Sequence, residues 1–148
     1  MNFEVISKSP ENTLAIGLRL GLQLRGNEII LVSGGLGAGK TILIKGIATA
    51  LGIPVHDVVS PSYVLMNQYQ GTYPLLHFDL YRLGSQVAAQ ENSVDEFIGE
   101  GVVAVEWAQY LNPDYFHLDE VIAIDISMID DNRRRLAVRT ELTYITLL

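Results

Sequence analysis

The chain has 148 residues, of which 49% are hydrophobic and 18% are charged, a balance that allows a buried core and excludes an intrinsically disordered chain. Its formal net charge of −7 argues against a surface that binds a nucleic-acid backbone unaided, because that affinity depends on clustered lysine and arginine. It has no cysteine, which excludes disulfides and thiolate metal sites.

The sequence carries no targeting or membrane signal. Residues 1–13 contain no apolar segment typical of a secretory signal, and no run approaches the roughly 18 apolar residues of a membrane span. We therefore expect a cytoplasmic protein that does not associate with a membrane. Because the sequence has no repeat, low-complexity tract or linker-like stretch, we expect residues 1–148 to form a single domain.

The first third of the chain predicts a strand, a helix, a strand and a second helix. A short strand is expected from Phe3 to Ile6, and Ser9-Pro10 supplies an N-cap and a first-turn proline for a helix to about Leu24. The apolar run within Glu28 to Ser33 is typical of a strand buried on both faces. A glycine-rich loop follows, and a second helix is predicted from Lys40 to about Leu51.

The remainder of the chain is dominated by predicted strands. Val64 to Tyr69 and Leu75 to Phe78 are expected to form a hairpin, and Gln86 to Ile98 a helix with one polar face. Further strands are predicted over Val102 to Val105, Val121 to Ser127, Arg135 to Arg139 and Thr143 to Leu147. The outline is an α/β fold with a mixed, mostly parallel central sheet flanked by helices and antiparallel C-terminal strands.

The strongest functional signal is the sequence GGLGAGKT at residues 34–41, which matches the phosphate-loop pattern G-x-x-x-x-G-K-[ST]. Glycines let such a loop turn its N–H groups toward an anion, and the following helix presents its positive end to the same anion. Lys40 is expected to reach the β- and γ-phosphates, and the Thr41 hydroxyl to bind Mg²⁺. The motif lies between a predicted strand and a predicted helix, as a P-loop NTPase fold requires. The expected nucleotide contacts are Gly35, Leu36, Gly37, Ala38, Gly39, Lys40, Thr41 and Ile42.

Two acidic residues, Asp79 and Glu106, close predicted buried strands, where P-loop proteins hold a metal and the attacking water. We favour Glu106 as a metal ligand beside Thr41, and Asp79 as a residue that positions water. With Lys40, these two acids are the predicted catalytic residues. The sequence does not decide which acid touches the metal directly; Asp79 could instead cap a turn or pair with Arg82, and Glu106 could mark where a strand surfaces.

Other side chains allow a functional and a structural interpretation. Ser60 or Ser62 could contact the γ-phosphate side of the site, or their segment could be an ordinary turn. Trp107 could stack on a base or cover the site, or belong to the core. His77 is expected to be a packed strand histidine. The basic run Arg133 to Arg135 is either a solvated hairpin edge or a contact for phosphate, adenine or a partner.

Four motifs in order resemble the TsaE family, whose members show G-D-L-G-A-G-K-T, S-P-T-[FY]-x-L, H-F-D-L-Y-R and [VI]-E-W-P. The corresponding segments are residues 34–41, 60–65, 77–82 and 105–108. The HFDLYR segment is the specific part of the resemblance, because ordinary P-loop proteins lack it. Three residues depart from the family pattern: Gly35 replaces aspartate, Ser62 replaces threonine and Ala108 replaces proline.

The resemblance implies an ATPase that uses ATP and Mg²⁺, has weak activity alone and works with the TsaB and TsaD proteins. TsaD transfers the threonylcarbamoyl group to the adenosine next to the anticodon, and the TsaE partner resets that assembly through ATP binding and hydrolysis. The partners would then bind the tRNA, which is consistent with the acidity of this chain. Two alternatives remain, a small-molecule kinase and a nucleotide-sensing module with negligible hydrolysis; Gly35 in place of the family aspartate makes the second plausible.

Overall fold

The computed structural model describes residues 1–61, 66–82 and 94–147, and in these ranges two helices pack on one seven-stranded sheet. The helices are α1 (Pro10–Gly21) and α2 (Lys40–Ala50). The strands are β1 (Asn2–Ser7), β2 (Ile29–Gly34), β3 (Met66–Tyr69), β4 (Leu75–Asp79), β5 (Val102–Glu106), β6 (Val121–Met128) and β7 (Arg134–Thr140).

The sheet has the order β1-β7-β6-β2-β5-β4-β3. Its centre is parallel, since β2 pairs in parallel with β5 and β6, and β5 with β4. The outer pairs β1–β7, β7–β6 and β3–β4 are antiparallel. The predicted mixed sheet and both predicted hairpins are confirmed; the pairing of β1 with β7 at the far edge had not been predicted.

Strand β2 is buried on both faces, as its apolar run indicated. Ile30 and Val32 belong to the core beneath the two helices, whereas Ile29 and Leu31 belong to the core on the opposite face. A strand buried in this way is fixed by packing from both sides. The loop that follows β2 therefore starts from a rigid point.

Helix α1 begins as predicted and ends earlier than predicted. The Ser9 side chain accepts a hydrogen bond from the Asn12 amide at 3.0 Å, and Pro10 occupies the first turn. At the other end the hydrogen bonds tighten: the Leu24 amide donates to the Gly21 carbonyl, three residues back. The α-helix thus ends at Gly21. The predicted end at Leu24 included a following turn with hydrogen bonds of the 3₁₀ type.

The two helices cross at a pair of glycines. A Cβ atom on Gly17 would lie 2.2 Å from the Leu43 carbonyl oxygen, and one on Gly46 would lie 2.2 Å from the Leu14 carbonyl oxygen. Only hydrogen at both positions permits so close an approach. The crossing holds α2, whose first turn follows the phosphate loop, against α1.

The predicted last strand over Thr143 to Leu147 is wrong. Ile145 and Leu147 are buried with the alternation of a strand, but no strand is formed between residues 141 and 147. The Thr146 backbone instead bonds to the side-chain amide of Gln23, which accepts from its N–H at 2.7 Å and donates to its carbonyl at 2.6 Å. Side chains near the end of α1 thus take the place of a neighbouring strand.

Parts of other predicted elements lie outside the described residues. These are Val64 and Leu65 of the predicted third strand, and residues 86–93 of the predicted helix over Gln86 to Ile98. Residues 94 and 95 are helical and residues 96–99 form turns, so that helix does not continue to Ile98. Within the described ranges, none of the helices combines the length and apolar character needed to cross a membrane.

Candidate nucleotide site

The loop between β2 and α2 has the backbone of a phosphate cradle. Gly37 and Gly39 adopt φ angles of 75° and 103°, in the left-handed region that other residues resist. Gly39 precedes α2 without a side-chain cap, so the first N–H groups of the helix face the loop interior. Leu36, within the loop, is 76% exposed. This geometry suits an anion held by backbone amides.

Lys40 lies beneath the loop and is already held by it. Its ammonium donates to the Gly34 carbonyl at 3.1 Å and to the Gly35 carbonyl at 2.6 Å, and lies 4.1 Å from the centre of the Trp107 ring. Burial lowers the pKa of Lys40, while the carboxylates of Glu106 and Asp79 oppose that change. A cation bonded to carbonyl oxygens can exchange them for phosphate oxygens.

Glu106 is buried at the end of β5, and both of its oxygens accept hydrogen bonds. Oε1 accepts from the Thr41 hydroxyl at 2.8 Å, and Oε2 lies 2.6 Å from Nε2 of the fully buried His77. The alternative interpretation of Glu106 as a residue at which a strand surfaces is wrong, because only 2% of its surface is exposed. His77 is packed in its strand, as expected, and additionally contacts Glu106.

Asp79 lies beside Glu106, because β4 and β5 pair these residues in parallel register. Its Oδ2 accepts from the Ser60 hydroxyl at 2.6 Å, and its Oδ1 accepts from the Tyr81 amide at 2.9 Å. Asp79 therefore does cap the turn after β4, one of the structural alternatives, and at the same time faces the phosphate loop. The cap fixes its carboxylate rather than removing it from the site.

A cleft of about 470 Å³ joins these groups. It is lined by Leu36, Gly37, Gly39, Lys40, Thr41, Ile42, Ser60, Asp79, Tyr81, Glu106 and Trp107. Of the other residues expected to contact nucleotide, Gly35 is exposed in the loop, Ala38 is buried beneath it, and Ser62 lies outside the described residues. The structure thus brings the loop, the lysine and both acids to one opening.

Aromatic rings form one wall of this opening. The Trp107 ring lies 4.7 Å from that of Tyr81 and stacks on that of Tyr110 at 5.6 Å, measured between centroids. Trp107 has a φ of 58°, a left-handed conformation that turns the chain sharply after Glu106. Tyr81 was not singled out from the sequence, although it lies within the HFDLYR segment.

Gln109 is a second residue that the sequence did not reveal. Its side-chain amide donates to the Gly34 carbonyl at 2.9 Å and accepts from the Gly34 amide at 3.4 Å. It lies in the short 3₁₀ helix Ala108–Tyr110 that follows β5. No local pattern marks a glutamine that supports a loop 75 residues away.

Comparison with known proteins identifies the family. The family model "Threonylcarbamoyl adenosine biosynthesis protein TsaE" matches residues 7–136. The chain is 36% identical over 137 residues to the tRNA threonylcarbamoyladenosine biosynthesis protein TsaE of Aquifex aeolicus, covering 91% of this chain and 94% of that one. It is 31% identical to the Treponema pallidum protein of the same name, covering 90% and 97%. The crystal structure of Bacillus subtilis YdiB superimposes with a TM-score of 0.69 at 30% identity, covering 93% of this chain and 84% of that one. The chain belongs to the TsaE family.

Proposed function

We propose that this chain is the ATP-hydrolysing component of the machinery that makes threonylcarbamoyladenosine in tRNA. The pathway follows from the family, whose members carry that name. The observation that supports ATP chemistry is the hydrogen bond between Thr41, in the first turn after the phosphate loop, and the buried Glu106 at the end of β5. It joins the two halves of a P-loop ATPase site in one contact.

The donor set fits Mg²⁺. Thr41 Oγ1 and Glu106 Oε1 are 2.8 Å apart, and a hard cation prefers such oxygen ligands. In the part of the chain that the structure describes, no cluster of three or more acidic, histidine or cysteine side chains could hold a metal ion. Thr41 and Glu106 would hold the ion together with the nucleotide phosphates and water, because Mg²⁺ usually takes few protein ligands.

Each protein group has a defined task in hydrolysis of the terminal phosphate. Lys40 exchanges the Gly34 and Gly35 carbonyls for phosphate oxygens and stabilises the charge that develops on them. Asp79, oriented by Ser60, accepts a hydrogen bond from the attacking water and directs it. Bound Mg²⁺ supplies electrostatic stabilisation of the phosphate charge.

The proposed partners are TsaB and TsaD, with tRNA met only through them. With a net charge of −7 the chain is poorly suited to hold a polyanion alone. Hydrolysis by the isolated protein is expected to be slow, and binding to the partners to accelerate it. The chain would thus act as an ATP-driven regulator of the enzyme that modifies tRNA, and we propose that it does so in the cytoplasm.

Single-turnover ATP hydrolysis, with and without purified TsaB and TsaD, tests this proposal. We expect the isolated protein to hydrolyse ATP slowly and the mixture with TsaB and TsaD to hydrolyse it faster. Lys40→Ala should lose hydrolysis in both samples. Depletion of the protein in cells should lower the threonylcarbamoyladenosine content of tRNA. Full modification after depletion would contradict the pathway, and ATP affinity unchanged in Lys40→Ala would contradict the nucleotide site.

The same assay separates two other functions. Binding of ATP without hydrolysis in any mixture would indicate a sensing module, the alternative that Gly35 in place of the family aspartate makes plausible. ADP production that depends on an added nucleoside, nucleotide or sugar would indicate a small-molecule kinase.

A further inference from the structure

A contact from the C-terminal hairpin reaches the phosphate loop. β6 lies next to β2 on the side away from β5, so the turn between β6 and β7 faces the loop opposite the two acids. Arg134, the first residue of β7, donates from Nη2 to the Gly37 carbonyl at 3.3 Å. The residues are 97 positions apart in the sequence, and the contact connects two otherwise separate parts of the site.

Arg134 differs from its two arginine neighbours. Arg133 is exposed and pairs with Asp130 at 2.8 Å, and Arg135 is exposed and pairs with Glu4 at 3.2 Å. Arg134 is half-buried, and in the described part of the chain its hydrogen bonds go to carbonyl oxygens only. Its Nη1 is anchored by the turn, at 2.8 Å from the Asp130 carbonyl. The guanidinium therefore brings a positive charge to the loop, and among the described residues it forms no ion pair with a carboxylate.

The peptide that Arg134 holds carries one of the donors of the loop. In a trans peptide the C=O of Gly37 and the N–H of Ala38 point in opposite directions. With Gly37 held from outside, the Ala38 amide points inward, where it donates to the Gly35 carbonyl at 3.3 Å. The Lys40 ammonium converges on the same oxygen at 2.6 Å. The two donors are close enough to bind a single oxygen, and a phosphate oxygen could take the place of the Gly35 carbonyl.

We propose that Arg134 is a positioning residue of the phosphate loop. By fixing the Gly37 carbonyl it keeps the Ala38 amide directed at the bound polyphosphate, and it adds positive charge on the side opposite Asp79 and Glu106. This inference rests on the proposed nucleotide site and deepens it. In this proposal the Ala38 amide contacts phosphate equally before and during the reaction. Loss of the Arg134 contact should therefore raise KM for ATP and leave kcat nearly unchanged.

The three consecutive arginines provide the test. Dissociation constants of ATP and of inorganic triphosphate are measured for the wild type, Arg134→Gln, Arg134→Lys, Arg133→Gln and Arg135→Gln. We expect Arg134→Gln to weaken both ligands to a similar degree, by about tenfold, as for one charge-assisted hydrogen bond. Arg134→Lys should recover part of the loss, since lysine also donates to carbonyl oxygens, and the two neighbouring variants should bind like the wild type.

Several results would overturn the inference. One is unchanged affinity in Arg134→Gln; another is an equal loss in Arg133→Gln, which would indicate a general effect of charge. Weakened ATP binding with unchanged triphosphate binding would place Arg134 at the base and also contradict it. If Arg134→Gln does not fold, Arg134→Lys takes its place in the test. A lower kcat with an unchanged KM in Arg134→Lys would then overturn the inference. Absence of ATP binding by the wild type would instead refute the proposed function itself.

Discussion

His77 and Glu106 form a buried pair, with 2.6 Å between Nε2 and Oε2. His77 is completely inaccessible, and among the described residues its Nδ1 has no hydrogen-bond partner. The ring therefore makes its polar contact through one nitrogen, and that contact orients the carboxylate whose other oxygen meets Thr41. Such a partner fixes the direction in which a buried carboxylate faces.

Replacement of His77 tests this relationship. His77→Leu leaves one oxygen of a buried carboxylate without a donor, which should lower the free energy of unfolding by about 3 kcal/mol. His77→Gln retains an N–H donor and should lose less. Urea denaturation measures both variants. Equal stability of the leucine variant and the wild type would show that the pair contributes nothing.

Glu106 is expected to act on nucleotide binding mainly through the metal. Glu106→Gln keeps the shape of the side chain and removes its charge, so ATP affinity should fall about 10- to 100-fold with Mg²⁺. Affinity measured in a metal chelator should change much less. Asp79→Asn, which we assign to water positioning, serves as the matched variant and should lower turnover more than affinity. A Glu106→Gln defect of the same size with and without Mg²⁺ would contradict the assignment.

Gly35 is a natural site for restoring the aspartate of the family. A Cβ atom there would meet no heavy atom within 4 Å, and its φ lies outside the left-handed region. Gly35→Asp should therefore leave the thermal unfolding temperature within a few degrees of the wild type. Gly35→Ala controls for the Cβ atom alone. If Gly35→Asp raises single-turnover hydrolysis and Gly35→Ala does not, the missing carboxylate limits the reaction; equal rates in all three proteins would show that it does not.

The helix crossing predicts a contrasting result at Gly46. A methyl group at this position would collide with the Leu14 carbonyl oxygen, and backbone atoms can yield only if the two helices separate. Gly46→Ala is expected to cost about 1–3 kcal/mol of stability despite the higher helix propensity of alanine. The free energy of unfolding is measured by chemical denaturation for Gly46→Ala, for Gly35→Ala as the control, and for the wild type. A stabilised Gly46→Ala protein would mean that the helices do not meet as described.

Glu28 predicts how stability depends on pH. Burial raises the pKa of Glu28, but hydrogen bonds from the Tyr144 hydroxyl and the Arg25 and Gly26 amides outweigh it and leave the pKa below the ordinary 4.5. The carboxylate therefore stabilises the fold fully above that pH, and this contribution is lost as the pH falls through the lowered value. Glu28→Gln should flatten the decline in unfolding free energy below pH 4.5.

An exposed acid gives the control for that experiment. Glu4→Gln removes a carboxylate from the surface, where an ion pair contributes little. Its stability should follow the wild-type decline in acid. A Glu28→Gln curve that coincides with the Glu4→Gln curve would contradict the role of the buried carboxylate.

Local patterns in the sequence were sufficient to predict most of the frame. The apolar run of β2 and the glycines of the loop act through short-range geometry, so the strand, the loop conformation and the start of α2 could be predicted from local sequence. Asp79 and Glu106 could be predicted because the ends of parallel strands meet at one edge. Their hydrogen bonds to Ser60 and His77 could not be predicted, and the division of roles between the two acids stays a proposal.

The failures have a common physical cause. The alternation of Ile145 and Leu147 is that of a strand, but the backbone partner is the side chain of Gln23, which no local periodicity reveals. Gln109 reaches the loop from a distant part of the chain and was missed, whereas the basic run that contains Arg134 was noted without a choice between a solvated edge and a contact. Long-range polar contacts of this kind leave no local pattern.

The indole that lies over the Lys40 ammonium belongs to the only tryptophan of the chain. Any ligand that draws the ammonium away from the ring changes the electric field at the one strongly emitting chromophore. Intrinsic fluorescence, excited at the long-wavelength edge where the indole absorbs and the seven tyrosines do not, can therefore follow occupancy of the loop in real time and without a label.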